Sequence, residues 1–263
     1  METEIDRAHG AMEAAPESDA ARLAFYDRLA DAELFVLLTG EPAGDVAEPQ
    51  LYDLEEGRFA LAFDLEERLS AFAEGPAPYA ALPGRIVARM LAAEGVGLGL
   101  NLGVAPSAFL MPAEALTWLA GTLDHGPGAG EARPEAYARP SGVPEGLLTA
   151  LDVKLARLAG LAARAHLVGV TYVGGAKGHL LAFEGACEGA EPALAKAVSE
   201  ALVFSGVEAG ALDVTFFATG AEALAPIARH AVSFDLPQPE PETAQVLSPA
   251  APGMDPARPP KLK

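Results

Sequence analysis

The first candidate for a functional segment is the glycine-rich run GVGLGLNLG at residues 95–103. Glycines at alternate positions next to a helix can form a loop that binds a phosphate. The dinucleotide-binding pattern G-x-G-x-x-G does not fit, because the glycine after Gly97 and Gly99 is Gly103, one residue late. The alternation instead predicts a strand with a bare glycine face, against which a neighbouring element can pack closely. We therefore expect structural roles for all three glycines, with Gly103 in a turn that Asn101 begins.

Two polar side chains, Asn101 and Ser107, are the candidate binding residues. Both follow the glycine-rich strand in a segment of loop-like composition, where binding groups are often placed. They support the hypothesis that the protein binds a small molecule.

The sequence predicts no catalytic residue, no metal site and no cofactor. No serine lies in the G-x-S-x-G pattern of a nucleophile elbow. The only cysteine, Cys187, lies near Glu184 and Glu188, and nearby acids raise a thiol pKa rather than lower it. The five histidines form no H-x-x-x-H pattern, so metal ligation is not expected.

Composition and charge narrow the class of protein. The 263 residues carry 37 acidic and 18 basic side chains, a formal net charge of -19, which disfavours nucleic acid and anionic lipid as partners. A single cysteine allows no intrachain disulfide, and the acidic start METEIDRAHG does not have the pattern of a signal peptide. The longest uncharged stretch, residues 95–113, contains glycines and prolines that argue against a membrane span. We expect a cytoplasmic protein.

The helices and strands of the first half are predicted from the spacing of apolar residues and from residues that typically start or end helices and turns. Apolar spacing predicts a helix from Asp19, and ELFVLLT at residues 33–39 predicts a strand. Residues 51–54 and 58–63 are typical of a hairpin, after which Asp64 is a good N-cap for an acidic helix start. Further helices are predicted around residues 82–95, ending at Gly95, and from Pro112, where the apolar face predicts a core or domain contact for Trp118.

The predicted domain boundaries follow from composition. Residues 1–18 are predicted to be loose or marginally helical, residues 19–123 to form one domain and residues 144–236 a second. Glycine, proline and charge dominate residues 124–143, which predicts a linker. The proline-rich residues 237–263 are predicted to be a disordered tail.

The second domain echoes the first in its order of elements. A helix precedes the strands AHLVGVTYV and GHLLAFEG, which the turn Gly174-Gly175 joins, and a helix, a strand, a helix and a last strand follow. Short words recur as well, LAFD at residues 61–64 against LAFE at residues 181–184, and AEAL in both halves. We predict an α+β fold of two related small domains, each a mixed or antiparallel sheet with helices packed on it. A true duplication and a coincidence of pattern both remain open.

At GLGLNLGVAPSAFLMPAEALTWLA, residues 97–120, the chain resembles the SseB family, the enhanced-serine-sensitivity proteins. An early ELFVLL strand and a GRFALAF strand before an acidic helix start add to the resemblance. The resemblance implies a two-domain α+β protein, with the family's C-terminal domain over roughly residues 143–236. It implies no reaction and no catalytic residues.

Two functional hypotheses follow. The first is a non-enzymatic, cytoplasmic interaction or regulatory protein with an unknown protein partner. The alternative is an amino-acid-binding protein, or an enzyme of amino-acid metabolism, with a site between the domains near Asn101 and Ser107. An apolar surface patch would favour the first, and a cleft of converging polar groups with shifted pKa values would favour the alternative. The oligomeric state is not predicted.

Overall fold

The computed structural model describes residues 1–41, 47–126, 133–206 and 212–238. The predicted disordered tail lies almost wholly outside the described residues. The first half contains five helices, α1 Glu4–Ala14, α2 Asp19–Asp31, α3 Glu66–Phe72, α4 Gly84–Ala93 and α5 Ala113–Asp124. Its strands are β1 Glu33–Leu37, β2 Leu51–Leu54, β3 Gly57–Phe63, β4 Tyr79–Pro83, β5 Gly97–Leu100 and β6 Phe109–Met111.

These six strands form one mixed sheet in the order β4-β1-β3-β5-β6, with β2 also paired to β3. Only β3 and β5 run parallel, and the chain between them includes the crossover helix α4. The predicted hairpin of β2 and β3 is confirmed, with Leu51 opposite Ala60. The strand β4, which the sequence analysis did not predict, pairs with β1 along its whole length.

The second half contains α6 Glu145–Ala156, α7 Glu191–Phe204 and α8 Ala225–Ala228. Its strands are β7 Pro134–Ala138, β8 Arg164–Tyr172, β9 Lys177–Glu184, β10 Leu212–Phe217 and β11 Val232–Asp235. They form a second mixed sheet in the order β10-β9-β8-β11, with β7 also paired to β8. The described residues thus form the predicted α+β fold of two mixed sheets, each with helices packed on it.

The two sheets enclose two helix layers that face each other. Buried side chains of α1, α2, α4 and α5 share one apolar core with the first sheet. Buried side chains of α6 and α7 share another with the second sheet. The layers meet where α2 contacts α7, and Phe204 at the end of α7 packs into the core of the first half. The halves are therefore joined by apolar packing as well as by the chain.

Two segments outside the predicted domains have regular structure. Residues 4–14 are the helix α1, because the Thr3 hydroxyl accepts from the Asp6 backbone N–H and the Asp6 carboxylate accepts from the Thr3 backbone N–H. Its apolar face, with Ile5 and Met12, is buried in the first core. Residues 134–138, predicted as linker, are the strand β7, whose backbone pairs with β8. Residues 127–132 of that predicted linker lie outside the described part of the chain.

Candidate functional site

The structure brings Asn101 and Ser107 together and buries both completely. The Asn101 backbone has a positive φ of 50°, which turns the chain at the end of β5. Its amide nitrogen donates to Ser107 Oγ at 2.9 Å, and its amide oxygen accepts from the Asp64 backbone N–H at 3.1 Å. Ser107 Oγ in turn donates to Asp6 Oδ1 of α1 at 2.5 Å. The two predicted binding residues thus form a chain of hydrogen bonds that holds α1 against the sheet.

Arg68 closes this network from α3. Its guanidinium contacts Asp6 at 2.5 Å and Asp64 at 2.7 Å. Burial raises the pKa of Asp6, but hydrogen bonds from Arg68, Ser107 and Thr3 outweigh burial and hold that pKa far below its usual range. Asp64 was predicted to cap the helix, and this is wrong, because Leu65 is the N-cap and makes no side-chain cap bond. The Asp64 carboxylate binds Arg68 and Thr3 instead.

A cavity of about 490 Å³ lies beside this network. Asp6 and Arg68 line it, whereas Asn101 and Ser107 do not. A ligand could reach the two predicted binding residues only if α1 moved away, because their polar atoms are buried and already paired with protein groups.

The glycines of β5 lie against side chains of neighbouring strands. A Cβ atom on Gly97 would lie 2.5 Å from the Phe59 ring and 2.9 Å from a backbone oxygen, which no real side chain tolerates. A Cβ atom on Gly99 would lie 2.5 Å from Leu61. Gly103 has open space around it but a φ of 73°, which favours glycine in the turn.

A second buried polar cluster lies where the helix layers meet. The ammonium of Lys154, in α6, lies 2.6 Å from Asp27 Oδ1, 2.7 Å from Asp31 Oδ2 and 3.1 Å from Glu200 Oε2. Asp27 and Asp31 belong to α2 and Glu200 to α7, so the cluster joins the two halves. The three carboxylates lie within 4.8 Å of one another, an arrangement that could hold a metal ion. The Lys154 ammonium already supplies a cation to all three.

The nearby cations do not offset the burial of these acids equally. Burial raises the pKa of Asp27, and Lys154 only partly opposes that rise through a contact that lacks hydrogen-bond geometry. Burial also acts on Asp31, but Lys154 and Arg85 outweigh it and lower the pKa of Asp31. Burial lowers the pKa of Lys154, and the carboxylates outweigh it and raise that pKa. The ammonium is therefore charged, and Asp27 is the least stabilised of its partners.

A cleft of about 350 Å³ opens above this cluster, between the helix layers. Arg85 of α4 spans Asp31 and Glu200, with its Nη2 2.5 Å from Asp31 and its Nη1 3.1 Å from Glu200. Arg157, just after α6, contacts Asp31 and also Glu4 of α1. This is a cleft of converging polar groups with shifted pKa values, but most of these groups are paired with one another.

The comparisons with known proteins address the first half. Residues 9–118 match the family model described as the SseB protein N-terminal domain. This part of the chain is similar to the N-terminal domain of SseB proteins. The match runs from the second half of α1 through the first half of α5, and so includes the first sheet with Asn101 and Ser107. Neither curated proteins nor solved structures gave a match. Among the described residues, none of the helices is long and apolar enough to cross a membrane.

A partly exposed apolar surface lies where the two halves meet, and each half contributes to it. Trp118 of α5 is 44% exposed, and its ring packs 5.9 Å from that of Tyr26 and 6.3 Å from that of Phe204. Val203, beside Phe204 in α7, is 45% exposed. We call Tyr26, Trp118, Val203 and Phe204 the seam surface. Trp118 thus contacts the second half while much of its ring faces solvent.

A third polar set, which was not predicted from the sequence, lies outside the residues that match the family model. His166 is buried in β8, with its Nδ1 2.8 Å from Ser233 Oγ and its Nε2 3.5 Å from Glu184 Oε2. The second distance is too long for a hydrogen bond. In hydrolytic triads the serine contacts Nε2 and the acid contacts Nδ1, the reverse of this order. Strand register brings these residues together, since His166 pairs with Ser233 across β8 and β11, and no local motif signals it.

Proposed function

We propose that the protein is a non-enzymatic, cytoplasmic protein that binds another protein through the seam surface. The observation that carries the proposal is the exposure of Trp118 at the contact between the two halves. Tryptophan is highly buried on average, and exposed tryptophan and tyrosine side chains are enriched where proteins bind one another.

The geometry of the seam surface fits a binding role. The Trp118 ring is held from two sides, by Tyr26 of α2 and by Phe204 of α7. A ring fixed in this way loses little conformational entropy on binding, so more of its buried area contributes to affinity. Because both halves contribute, a partner that covers this surface would bind only when they are packed together.

Charge indicates the kind of partner. With a formal net charge of -19, a second copy of this chain would be repelled at long range, whereas a basic protein would be attracted. Glu114, one helical turn before Trp118 on α5, is exposed and could pair with a basic residue at the rim of such a contact. We therefore propose a partner with an apolar patch surrounded by lysine or arginine.

The interior polar groups support binding rather than catalysis. Most of the groups in the Asp6 network and in the Lys154 cluster already have ionic or hydrogen-bonded partners, so they hold elements together. The single, exposed Cys187 suits a reducing cytoplasm, because no intrachain disulfide can form. We also propose that the second half corresponds to the C-terminal domain of SseB proteins, because the sequence resemblance described above assigns that domain to roughly residues 143–236.

Site-specific photo-crosslinking in native cells tests the proposed interaction. A crosslinker placed at Val203 should capture a discrete basic protein. The same crosslinker at Val173, an apolar position 70% exposed on the hairpin turn of the second half, should capture none. Trp118→Ala should abolish capture from position 203, and added salt should weaken it because steering is electrostatic.

The fold of each variant is checked by its melting temperature. Capture of the same species from positions 173 and 203 would contradict the proposed surface. Capture of a second copy of the chain at position 203 would contradict the basic partner, and the absence of capture would contradict the interaction itself.

A further inference from the structure

The cleft between the helix layers has its charges arranged by depth. At the floor, the side chains of Asp31 and Glu200 are 10% and 5% exposed. Nearer the mouth, those of Arg85 and Arg157 are 32% and 31% exposed. The charge that a solute meets on entering is therefore positive, although the protein as a whole is strongly acidic. Of the charged side chains that line the cleft, four are cations and two are acids: Arg85, Lys154, Arg157, Lys196, Asp31 and Glu200.

Lys196 is the cation of the cleft that has no counterion among the residues that the structure describes. It lines the cleft from α7, one helical turn before Glu200, and its side chain is partly buried. Arg85 and Lys154 occupy the Glu200 carboxylate, and no carboxylate among the described residues lies within 4.0 Å of the Lys196 ammonium. Its three N–H donors are thus available to an incoming acceptor.

The guanidinium groups at the mouth also retain donors. Arg157 uses its two terminal nitrogens on Glu4 and Asp31, and Arg85 uses its two on Asp31 and Glu200. A guanidinium has five N–H donors, so each can make further hydrogen bonds to an oxyanion.

The walls between these cations are short and apolar. They are formed by Ala30, Pro83, Leu158, Ala193 and Ala197. Ala193 and Ala197 lie one turn apart on α7, and their small side chains leave the space in front of Lys196 open. A volume of about 350 Å³ is enough for a small metabolite and is at the lower end of ligand-binding clefts.

We propose that this cleft binds a small molecule bearing an oxyanion, a phosphate or a carboxylate, held by Lys196 with Arg157 and Arg85. The buried carboxylates beneath are neutralised by Lys154 and Arg85, so they do not repel such a ligand as free acids would. This site is separate from the seam surface and does not depend on the proposed protein partner.

Isothermal titration calorimetry on the full chain tests the proposal, with inorganic phosphate and acetate as probes at constant ionic strength. Phosphate should bind saturably. Lys196→Gln should weaken phosphate binding by roughly tenfold, the loss expected for one charge-assisted hydrogen bond. Lys177→Gln removes the same charge from an exposed position at the start of β9 and should leave binding unchanged.

The acetate titration distinguishes the two oxyanion classes. Saturable acetate binding that also weakens in Lys196→Gln indicates a carboxylate site, and phosphate binding alone indicates a phosphate site. Because Lys196 has no ionic partner in the described part of the chain, the melting temperature of Lys196→Gln should equal that of Lys177→Gln, so a loss of binding is not a loss of fold. Absence of saturable binding of either probe, or equal weakening by both variants, would overturn the proposal.

Discussion

The two sheets share a pattern of strand directions. The order β4-β1-β3-β5 in the first corresponds to β11-β8-β9-β10 in the second. In both, successive neighbours are antiparallel, antiparallel and parallel. In both, the connection between the two parallel strands includes a helix of the inner layer, α4 or α7. The arrangement of strand directions is therefore the same in the two sheets, although β4 precedes β5 along the chain whereas β11 follows β10.

Both halves carry the tripeptide Leu-Ala-Phe near the end of a strand, in β3 and in β9. Its side chains face the helix layer differently in the two sheets. In β3, Ala62 belongs to the core shared with the helix layer, while Leu61 and Phe63 lie on the other face with α3. In β9, Leu181 and Phe183 belong to the core with α6 and α7. Side chains alternate between the two faces of a strand. When the two sheets are compared with their helix layers on the same side, the two tripeptides are therefore shifted relative to each other by an odd number of residues.

This difference teaches that the repeated letters are not equivalent positions, although the elements that contain them correspond. It also shows two ways to fill a sheet–helix interface. The first sheet presents Ala60 and Ala62, and the helices supply bulk such as Phe25 and Leu29. The second presents Phe183, and the facing helix supplies smaller side chains such as Ala201. Both combinations fill the interface, because close packing constrains total volume more than its division between layers.

The largest expected effect comes from the two phenylalanines of the tripeptides. Phe183→Ala should cost about 3–5 kcal/mol, because it opens a cavity in the main core where Phe183 stacks on Phe216. Phe63→Ala should cost clearly less, because partly exposed neighbours such as Phe72 can move into the space. Urea denaturation measures both. Equal losses would indicate that the two faces are energetically equivalent and would break the comparison.

A similar effect is expected from the contact that joins the halves. Lys154→Met removes the cation from three buried carboxylates and should destabilise the protein by about 3–5 kcal/mol. Arg89→Gln breaks the exposed pair with Asp124 and is the matched control, with an expected loss of about 0–1 kcal/mol. Denaturant melts of both variants test whether the halves depend on this cluster. A loss no larger than the control's would show that apolar packing alone holds them.

The same cluster predicts a pH dependence. The pKa of Asp31 is lowered in the folded state, so its contribution to stability is present above its ordinary value of 3.8 and is lost as the pH falls through its folded pKa. Asp27, whose pKa is raised, contributes in the opposite sense. Without Lys154, the burial that raises the pKa of Asp27 loses its main opposing charge, so Lys154→Met should regain stability as the pH falls from 7 towards 5. Urea melts across that range measure the difference, and a deficit that grows on acidification would contradict the assignment.

A smaller effect should separate two kinds of glycine. Gly99→Leu would force Leu61 and Leu102 aside and should cost about 1–3 kcal/mol. Gly121→Ala lies inside α5 with no atom within 4 Å of the new methyl group, so it should stabilise by about 0.5–1 kcal/mol. Thermal melts compare the two. An unchanged midpoint for Gly99→Leu would mean that the glycine face is not packed.

Local features were predictable and long-range ones were not. The hairpin of β8 and β9 follows from alternation and from Gly174-Gly175, which lie within a few residues of both strands. The helix α1 was predicted only as a loose or marginally helical segment, because its stability depends on contacts such as Asp6 with Ser107, 101 residues away. The capping rule failed at Asp64 because Arg68 and Thr3 compete for its carboxylate. The Lys154 cluster leaves no motif, because its members lie on three helices.

The last prediction is that serine has no effect on the melting temperature, and it tests the hypothesis that Asn101 and Ser107 bind an amino acid. If Asn101 and Ser107 bound an amino acid, millimolar serine at a hundred times its dissociation constant would stabilise the protein by about 2.7 kcal/mol, a shift of several degrees in melting temperature. Both side chains are fully buried, and their donors and acceptors are taken by each other, by Asp6 and by the Asp64 backbone. Serine would have to displace α1 and break these bonds, which costs more than its few hydrogen bonds would return.

We therefore expect no shift with serine in a thermal melt, and none with alanine, which lacks the hydroxyl. The outcome that would contradict this is a shift specific to serine, with α1 becoming more accessible to proteolysis as serine is added. Such a result would mean that the network around Asp6 opens to admit a ligand, and that the first half uses these polar groups for recognition while the Lys154 cluster serves only to join the halves.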